Sequence, residues 1–318
     1  MKLIEFAPIT ADEPTYPRFG IDLGDRIIEI GESDKGSLSD FIWRGAPHLD
    51  DLRTYITALA AGESARLRGH SRRQLPHQDI RLHAPLTPRS LRDFYAFEQH
   101  VKTANQNRGR EVPPEWYQFP VFYFSNTGSI IGHDDPLNLP SYTQALDYEL
   151  EIAAVIGREG KNIAPADAEA YILGYTILND WSARDVQRSE MKVGLGPAKG
   201  KDFASSLGPC IITPDELADR ATGRPGVYDL AMTAFVNGVE RSRGNWRDLH
   251  WSFGDLIARA SQDVTLYPGD VIGSGTVGTG CLLETTRGQG PWLQVGDVVE
   301  LVVERLGTLR NTVSAPSL

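Results

Sequence analysis

The sequence predicts an α+β fold dominated by β structure. Short apolar runs rich in Val, Ile, Leu and aromatic residues recur from residue 121 onward. Asn237-Gly238 stands between two of them, the signature of a two-residue hairpin turn. Beyond residue 121 only 182–191 and 252–260 stand out as helices. Many strands with few helices place the chain in the β-rich α+β class.

Taken in order, 1–75 reads as a small N-terminal accessory domain and 76–318 as a larger second domain. Within the first, 2–6 and 26–30 are predicted strands, and the Gly-containing stretch 20–25 suggests a hairpin feeding the second. Helical character follows at 37–41 and 49–61, with Ser39 and Asp40 among the candidate caps. The basic, histidine-containing stretch 69–88 reads as a linker running into a short strand at 80–82. Residues 90–105 are predicted to be helical, with Ser90 as N-cap. Residues 104–119 are polar and broken by Gly109 and Pro113-Pro114, a long connection of the kind that forms mobile lids. Strands are then predicted at 121–125, 150–156, 171–178, 209–213, 231–236, 271–273 and 298–303. Pro268-Gly269-Asp270 marks a further turn.

Composition narrows the function. The chain has 318 residues, 41% hydrophobic and 23% charged, the balance of a soluble globular protein. A net charge of −10 argues against non-specific binding to nucleic acid or anionic membranes. An acidic protein can still bind an acidic small molecule when a cation or local basic residues mediate. Cys210 and Cys281 form no C-x-x-C pair and lack a histidine cluster, so a zinc site is not expected. One disulfide would be compatible with two cysteines, but two buried thiols in a reducing compartment are the expectation. The N-terminus has too short an apolar stretch for a signal peptide, and no apolar run reaches about 18 residues. A cytoplasmic protein is expected.

Five segments carry candidate chemistry. In the first, Glu149 and Glu151 lie two apart on a predicted strand with Ile152, Val155 and Ile156. Alternation puts both on one face, about 7 Å apart. In an apolar setting they would repel and lose solvation, and a hard divalent cation with oxygen ligands would relieve both. A strand with the pair facing water would read the same way. In the second, Asp180 ends a strand just before a helix, and Ser182 with Asp185 fits an acidic capping box. Asp180 is therefore either a functional carboxylate or a cap. The third, 194–205, is glycine-rich and holds Lys199 and Lys201, but Gly200-Lys201-Asp202 fails the phosphate-loop spacing. A lysine there would neutralise acids, bind an anion or face solvent. In the fourth, Asp93, Phe97 and His100 would share one helical face, with His100 about 10 Å along the axis from Asp93. The fifth, 273–281, has four glycines, whose backbone can approach a ligand closely or form a surface turn. Glu284 follows it.

Together these segments resemble the fumarylacetoacetate hydrolase family, in its fumarylacetoacetase-like branch. The likeness runs from about residue 88 to 305 and rests mainly on DYELEIAAVIG and GYTILNDWSARDVQ. It implies the family's own mixed β-sheet roll as the catalytic domain, a small N-terminal domain and a homodimer. It implies that Glu149, Glu151, Asp180 and Asp93 ligate one ion, Mg²⁺ or Ca²⁺, with Mn²⁺ as a substitute. Lys201 matches the lysine beside that ion, and Ser205 stands where a threonine is expected. Arg184 and Gln187 match oxyanion donors acting with Lys201. Tyr95, Tyr123 and Thr276 match substrate contacts, His100 the catalytic histidine and Glu284 its orienting partner. The acylpyruvase-like branch has a glutamate three residues after its histidine; here that position is Thr103. Met191 replaces an aromatic contact, and the lid arginine is either Arg108 or Arg110. The implied activity is hydrolysis of a carbon–carbon bond in a small-molecule diketo acid, in aromatic compound catabolism. A decarboxylase, hydratase or isomerase sharing the same enolate is the alternative.

Overall fold

The computed structural model describes residues 1–9, 16–30, 36–61, 73–107 and 109–316. The N-terminal strands are β1 (Lys2–Pro8), β2 (Arg18–Asp22), β3 (Ile27–Glu29), β4 (Gln74–Leu75) and β5 (Ile80–Leu82). Helices α1 (Leu38–Trp43) and α2 (Leu49–Ala60) lie between β3 and β4. Then follow β6 (Ser90–Phe94), α3 (Glu98–Gln106), β7 (Phe122–Ser125), β8 (Ile130–Ile131), β9 (Pro136–Asn138) and β10 (Leu146–Asp147). The central strands are β11 (Leu150–Ile156) and β12 (Ile172–Asp180), followed by β13 (Ser182–Ala183), α4 (Arg184–Glu190) and β14 (Ser205–Ile212). The chain continues through β15 (Ala231–Val236), β16 (Val239–Asn245), α5 (Phe253–Ser261) and β17 (Asp270–Gly273). It closes with α6 (Leu282–Thr285), β18 (Val298–Val303) and β19 (Gly307–Ser314).

The main path of the large sheet runs β4-β3-β2-β1-β14-β12-β11-β17-β6-β7, with β5 on β1 and β8 on β14. A five-stranded sheet runs β16-β15-β18-β19-β9. Most pairs are antiparallel, but β17 with β6 and β19 with β9 are parallel, so both sheets are mixed. The expected β-dominated α+β class is what the chain forms.

Strand β11 is buried on both faces, which is why its sequence is almost continuously apolar. Ile152, Ala154 and Ile156 enter the core between the two sheets. Ala153 and Val155 enter a second core under α1 and α2. The N-terminal strands join the same two cores: Ile4 and Phe6 pack into the first, Leu3 and Ile28 into the second. Backbone pairing of Lys2 with Ile212 carries the sheet across the expected boundary at 75/76. Cys210 and Cys281 are both buried free thiols, as expected.

Three local expectations are corrected. Residues 90–105 are not one helix with a Ser90 cap: 90–94 form β6, and α3 begins only at Glu98. Asp93 therefore does not share a helical face with His100. The strand pattern was hidden because Arg92 and Asp93 are buried charges in a strand, 6% and 2% exposed. Arg92 pays for its burial through Ser90 Oγ at 2.6 Å and Asp270 at 3.8 Å. Ser182 and Asp185 do not form a capping box. Ser182 pairs with Asp147 in β13, and Asp185 instead accepts from Thr143 Oγ1 at 2.5 Å and Gln144 N at 2.9 Å. A reciprocal box does form at Ser252 and Asp255, starting α5. Ser37, not Ser39 or Asp40, caps α1.

Candidate active site

Neighbouring strands β12, β11, β17 and β6 bring their chemistry to one region of the large sheet. Asp180 ends β12 and pairs with Ser205. Glu149 precedes β11 and Glu151 lies in it, two positions apart as alternation requires for a shared face. Asp93 sits opposite Gly273 in the parallel β6–β17 pair and opposite Tyr123 in the β6–β7 pair. Non-consecutive strands thus deliver four acids and a tyrosine together.

The carboxylate oxygens of Asp93, Glu149 and Glu151 lie within 4.8 Å of one another, all buried. Asp180 joins them through two bridges. The Lys201 ammonium donates to both Glu149 and Asp180, and the Tyr123 hydroxyl, with one proton to give, sits between Asp180 and, at 3.0 Å, Asp93. Thr276 Oγ1 donates to Glu151 Oε1 at 3.2 Å. Arg184 reaches Glu149 Oε1 at 2.8 Å and Asp147 at 2.8 Å.

The charges do not balance. Arg184 is shared with Asp147, which leaves Lys201 facing four carboxylates. Burial, with Asp180 close by, pushes Asp93 up to about 7. Burial, with Asp93 and Glu149 alongside, drives Glu151 well above the ordinary carboxylate range. Glu149 feels the same burial, but Lys201 and Arg184 outweigh it and hold its carboxyl below that range. Glu151 Oε2 and Asp180 Oδ1 are buried without a hydrogen-bond partner. Surplus acid with orphaned oxygens fits a hard divalent cation, and the all-oxygen donor set fits Mg²⁺, Ca²⁺ or Mn²⁺.

A cavity of about 350 Å³ opens on this cluster. Its wall includes Asp93, Glu149, Glu151 and Lys201, together with Tyr95, Tyr123 and Thr276. His100, Arg184 and Gln187 line it as well, while Asp180 lies behind the wall. His100 Nδ1 stands 2.7 Å from Glu284 Oε2, with the pair 6% and 2% exposed. Arg184 Nη1 donates to Gln187 Oε1 at 3.1 Å, so the Gln187 amide nitrogen remains for a ligand. Of the two lid candidates, Arg108 lies outside the described residues, and Arg110 lines an adjoining cavity rather than this one.

The glycine-rich stretch 273–280 is a buried seam. A Cβ on Gly273 would meet Asp93 Oδ1 at 2.5 Å. Gly275 has φ +74, its Cβ would meet Phe94 O at 2.3 Å, and its N–H donates to Asp93 at 3.2 Å.

Three contributing residues are given no role at the site by the sequence. Asp147, fully buried, accepts from Arg184 Nε, Leu282 N and Leu283 N, tying α4 to the start of α6. Asn179 Oδ1 holds the Glu149 N–H at 2.9 Å. Cys281 Sγ stands 3.6 Å from Glu284 Oε2. Their only signal was polarity within apolar runs, at 147 and 179.

Residues 90–314 match the family model described as fumarylacetoacetate (FAA) hydrolase C-terminal. The chain belongs to the fumarylacetoacetate hydrolase family. Human mitochondrial oxaloacetate tautomerase is 35% identical over 323 residues, spanning 98% of this chain and 91% of that protein. The structure of a fumarylacetoacetate hydrolase from psychrophilic Exiguobacterium antarcticum superposes with a TM-score of 0.74 at 26% identity, covering 99% of each chain. A 5-carboxymethyl-2-hydroxymuconate delta-isomerase from Mycobacterium smegmatis gives 0.68 at 30% identity, covering 99% of this chain and 100% of its own. The family is enzymatic, and these relatives divide between hydrolysis and isomerisation.

Proposed function

We propose that this family member is a divalent-cation-dependent hydrolase that cleaves the carbon–carbon bond of a 1,3-diketo acid, such as fumarylacetoacetate or an acylpyruvate. The observation that carries the reading is His100, backed by Glu284 at 2.7 Å, opening on the same cavity as the acid cluster. Asp93, Glu149, Glu151 and Asp180 would hold the ion, which supplies Lewis acidity toward the developing enolate. With Nδ1 toward Glu284, His100 Nε2 is the nitrogen left to take a proton from water. The hydroxide so formed adds to the carbonyl carbon. Gln187 donates to the new oxyanion, while Arg184 and Lys201 set the positive field around it. The tetrahedral carbon then expels the adjacent carbon as an enolate, which takes up the proton that His100 removed from water. Tyr95, Tyr123 and Thr276 contact the bound acid in this reading. The homodimer and a cytoplasmic location belong to the same proposal. Among the described residues no helix is long and apolar enough to cross a membrane.

A second reading is favoured by the similarity to the oxaloacetate tautomerase across nearly the whole chain. His100 beside an enolate could shuttle a proton between carbon and oxygen without water. A panel of acylpyruvates, fumarylacetoacetate and oxaloacetate, assayed with Mg²⁺, separates the two. The hydrolase reading expects stoichiometric release of two acids. Enol–keto exchange of oxaloacetate with no cleavage of any diketo acid would replace it with the tautomerase.

A further inference from the structure

No histidine lies near Cys281 in the chain, so the sequence leads away from a zinc site. The fold supplies the missing ligand. One donor atom each from His100, Cys281 and Glu284 lie within 4.8 Å of one another, and all three residues are buried. Cys281 immediately precedes α6 and Glu284 stands three positions on, so the two share a face of that turn. From α3, His100 places Nδ1 2.7 Å from Glu284 Oε2, and Cys281 Sγ lies 3.6 Å from the same oxygen. The Tyr95 ring stands edge-on to the imidazole, with centroids 5.2 Å apart.

The contacts among the three leave donors unused. The approach of Nδ1 to Oε2 is close but poorly angled, and among the described residues neither His100 Nδ1 nor Glu284 Oε1 has a hydrogen-bond partner. Unpaired polar atoms at such depth are rare in folded proteins. Burial, with Asp147 nearby, pushes the Cys281 thiol well above its ordinary range, so it sits as a neutral S–H. Nitrogen, sulfur and oxygen make a mixed, partly soft donor set that suits Zn²⁺, whose bonds to these atoms run about 2.0–2.3 Å. The acid cluster offers oxygen alone and suits a harder ion. Charge balance points the same way: a dication held by one thiolate and one carboxylate leaves the buried site with no net charge.

We propose that His100, Cys281 and Glu284 form a second metal site, selective for Zn²⁺ or a similarly soft dication, and that filling it switches the base off. His100 lines the cavity of about 350 Å³, so the ion arrives from that side. On binding, the Cys281 thiol releases its proton to solvent and its sulfur bonds the ion. Nδ1 gives its lone pair to the ion, and the proton it carried moves to Nε2. The imidazole stays neutral, but Nε2 now holds a proton and cannot take another from water. Binding stands on the three donors alone; the inhibition rests on His100 acting as the base.

The test uses the chelator-stripped full chain with Mg²⁺ at saturation, to occupy the acid cluster, and Co²⁺ as the spectroscopic probe for Zn²⁺. A thiolate-to-Co²⁺ charge-transfer band should rise in the near ultraviolet, saturate at a single ion per chain and vanish when Zn²⁺ is added. It should survive in C210S, which removes the other thiol, and be lost in C281S. No band in the wild type overturns the site, and so does a band that survives C281S. The wild-type and C210S spectra decide the matter even where C281S folds poorly. Losing an outer partner of a metal ligand already costs about 10–100-fold in affinity, so losing a ligand in C281S should raise the Zn²⁺ concentration for half-inhibition at least tenfold. Equal inhibition of wild type and C281S would put the inhibitory ion at the acids and overturn the switch. Zn²⁺ that displaces the Co²⁺ band without slowing turnover would also overturn the switch, by striking out His100 as the base while the site stands.

Discussion

His100 and Glu284 come from separate elements, α3 and α6, and meet at 2.7 Å, with His100 lining a cavity whose wall also holds Asp93, Glu149 and Glu151. That geometry makes His100→Ala the most informative single change. Turnover should vanish while Mg²⁺ affinity by calorimetry stays intact; retained turnover would reject His100 as the base. Glu149→Gln acts on the other half of the site. It removes the charge that Lys201 and Arg184 are arranged around, so cation affinity should fall. Unchanged affinity would take Glu149 out of the ligand set. Asp147→Asn leaves every oxyanion donor in place but loosens Arg184 and the start of α6 together. We expect kcat to fall about tenfold or more with KM less affected, as for a positioning residue whose loss misplaces others. A change confined to thermal stability would make Asp147 purely structural. DYELE and NDWS were legible as sites because carboxylates interrupt apolar strands. Asp147 was not singled out, because a partner from residue 184 and two amides from 282–283 are invisible along the chain.

At the level of elements, pairing partners decide what local sequence leaves open. A helix was read at 90–105 because Arg92 and Asp93 broke the apolar run of a strand. Pairing with β17 and β7 overrode local preference, and local preference in strands is weak. The glycine seam after β17 shows the converse: four glycines allowed either a turn or a close approach, and contact with Asp93 decided it. Gly275→Ala should cost about 1–3 kcal/mol by urea unfolding, from its positive φ and the Phe94 carbonyl in its way. Wild-type stability would show that the seam can yield. The contact between β1 and α1 holds a pH-dependent element. Glu5 accepts the Ser39 N–H at 3.1 Å, and burial raises its carboxyl to about 7. Raised in the folded state, it binds its proton more tightly there than in the unfolded chain. Stability is therefore fullest at acid pH from this group and declines as pH climbs from about 4.5 to 7. Glu5→Gln keeps the acceptor and should gain about 2–3 kcal/mol at pH 8 with no gain at pH 4. A constant difference across that range would remove Glu5 as the cause.

At the scale of the molecule, the cation and the fold should be linked. Four buried acids facing one lysine repel, so adding Mg²⁺ to chelator-treated protein should raise the midpoint of thermal unfolding. At a hundredfold excess over Kd the stabilisation is about 2.7 kcal/mol. A midpoint indifferent to Mg²⁺ in the wild type would count against a cation among these acids. Charge and hydropathy along the chain sufficed for the class of fold, the two central strands, the buried free thiols and the segments where chemistry concentrates. Those are local properties: alternation, turn residues and acids inside apolar runs can be read without neighbours. Only the tertiary structure decided that β6 is a strand, that Asp147 clamps two helices, and that the N-terminal strands share a sheet and two cores with the rest. It also brought Cys281 beside His100 and Glu284. Each of these depends on contacts between residues far apart in sequence, and the energy of such contacts is set by burial and pairing that no single segment contains.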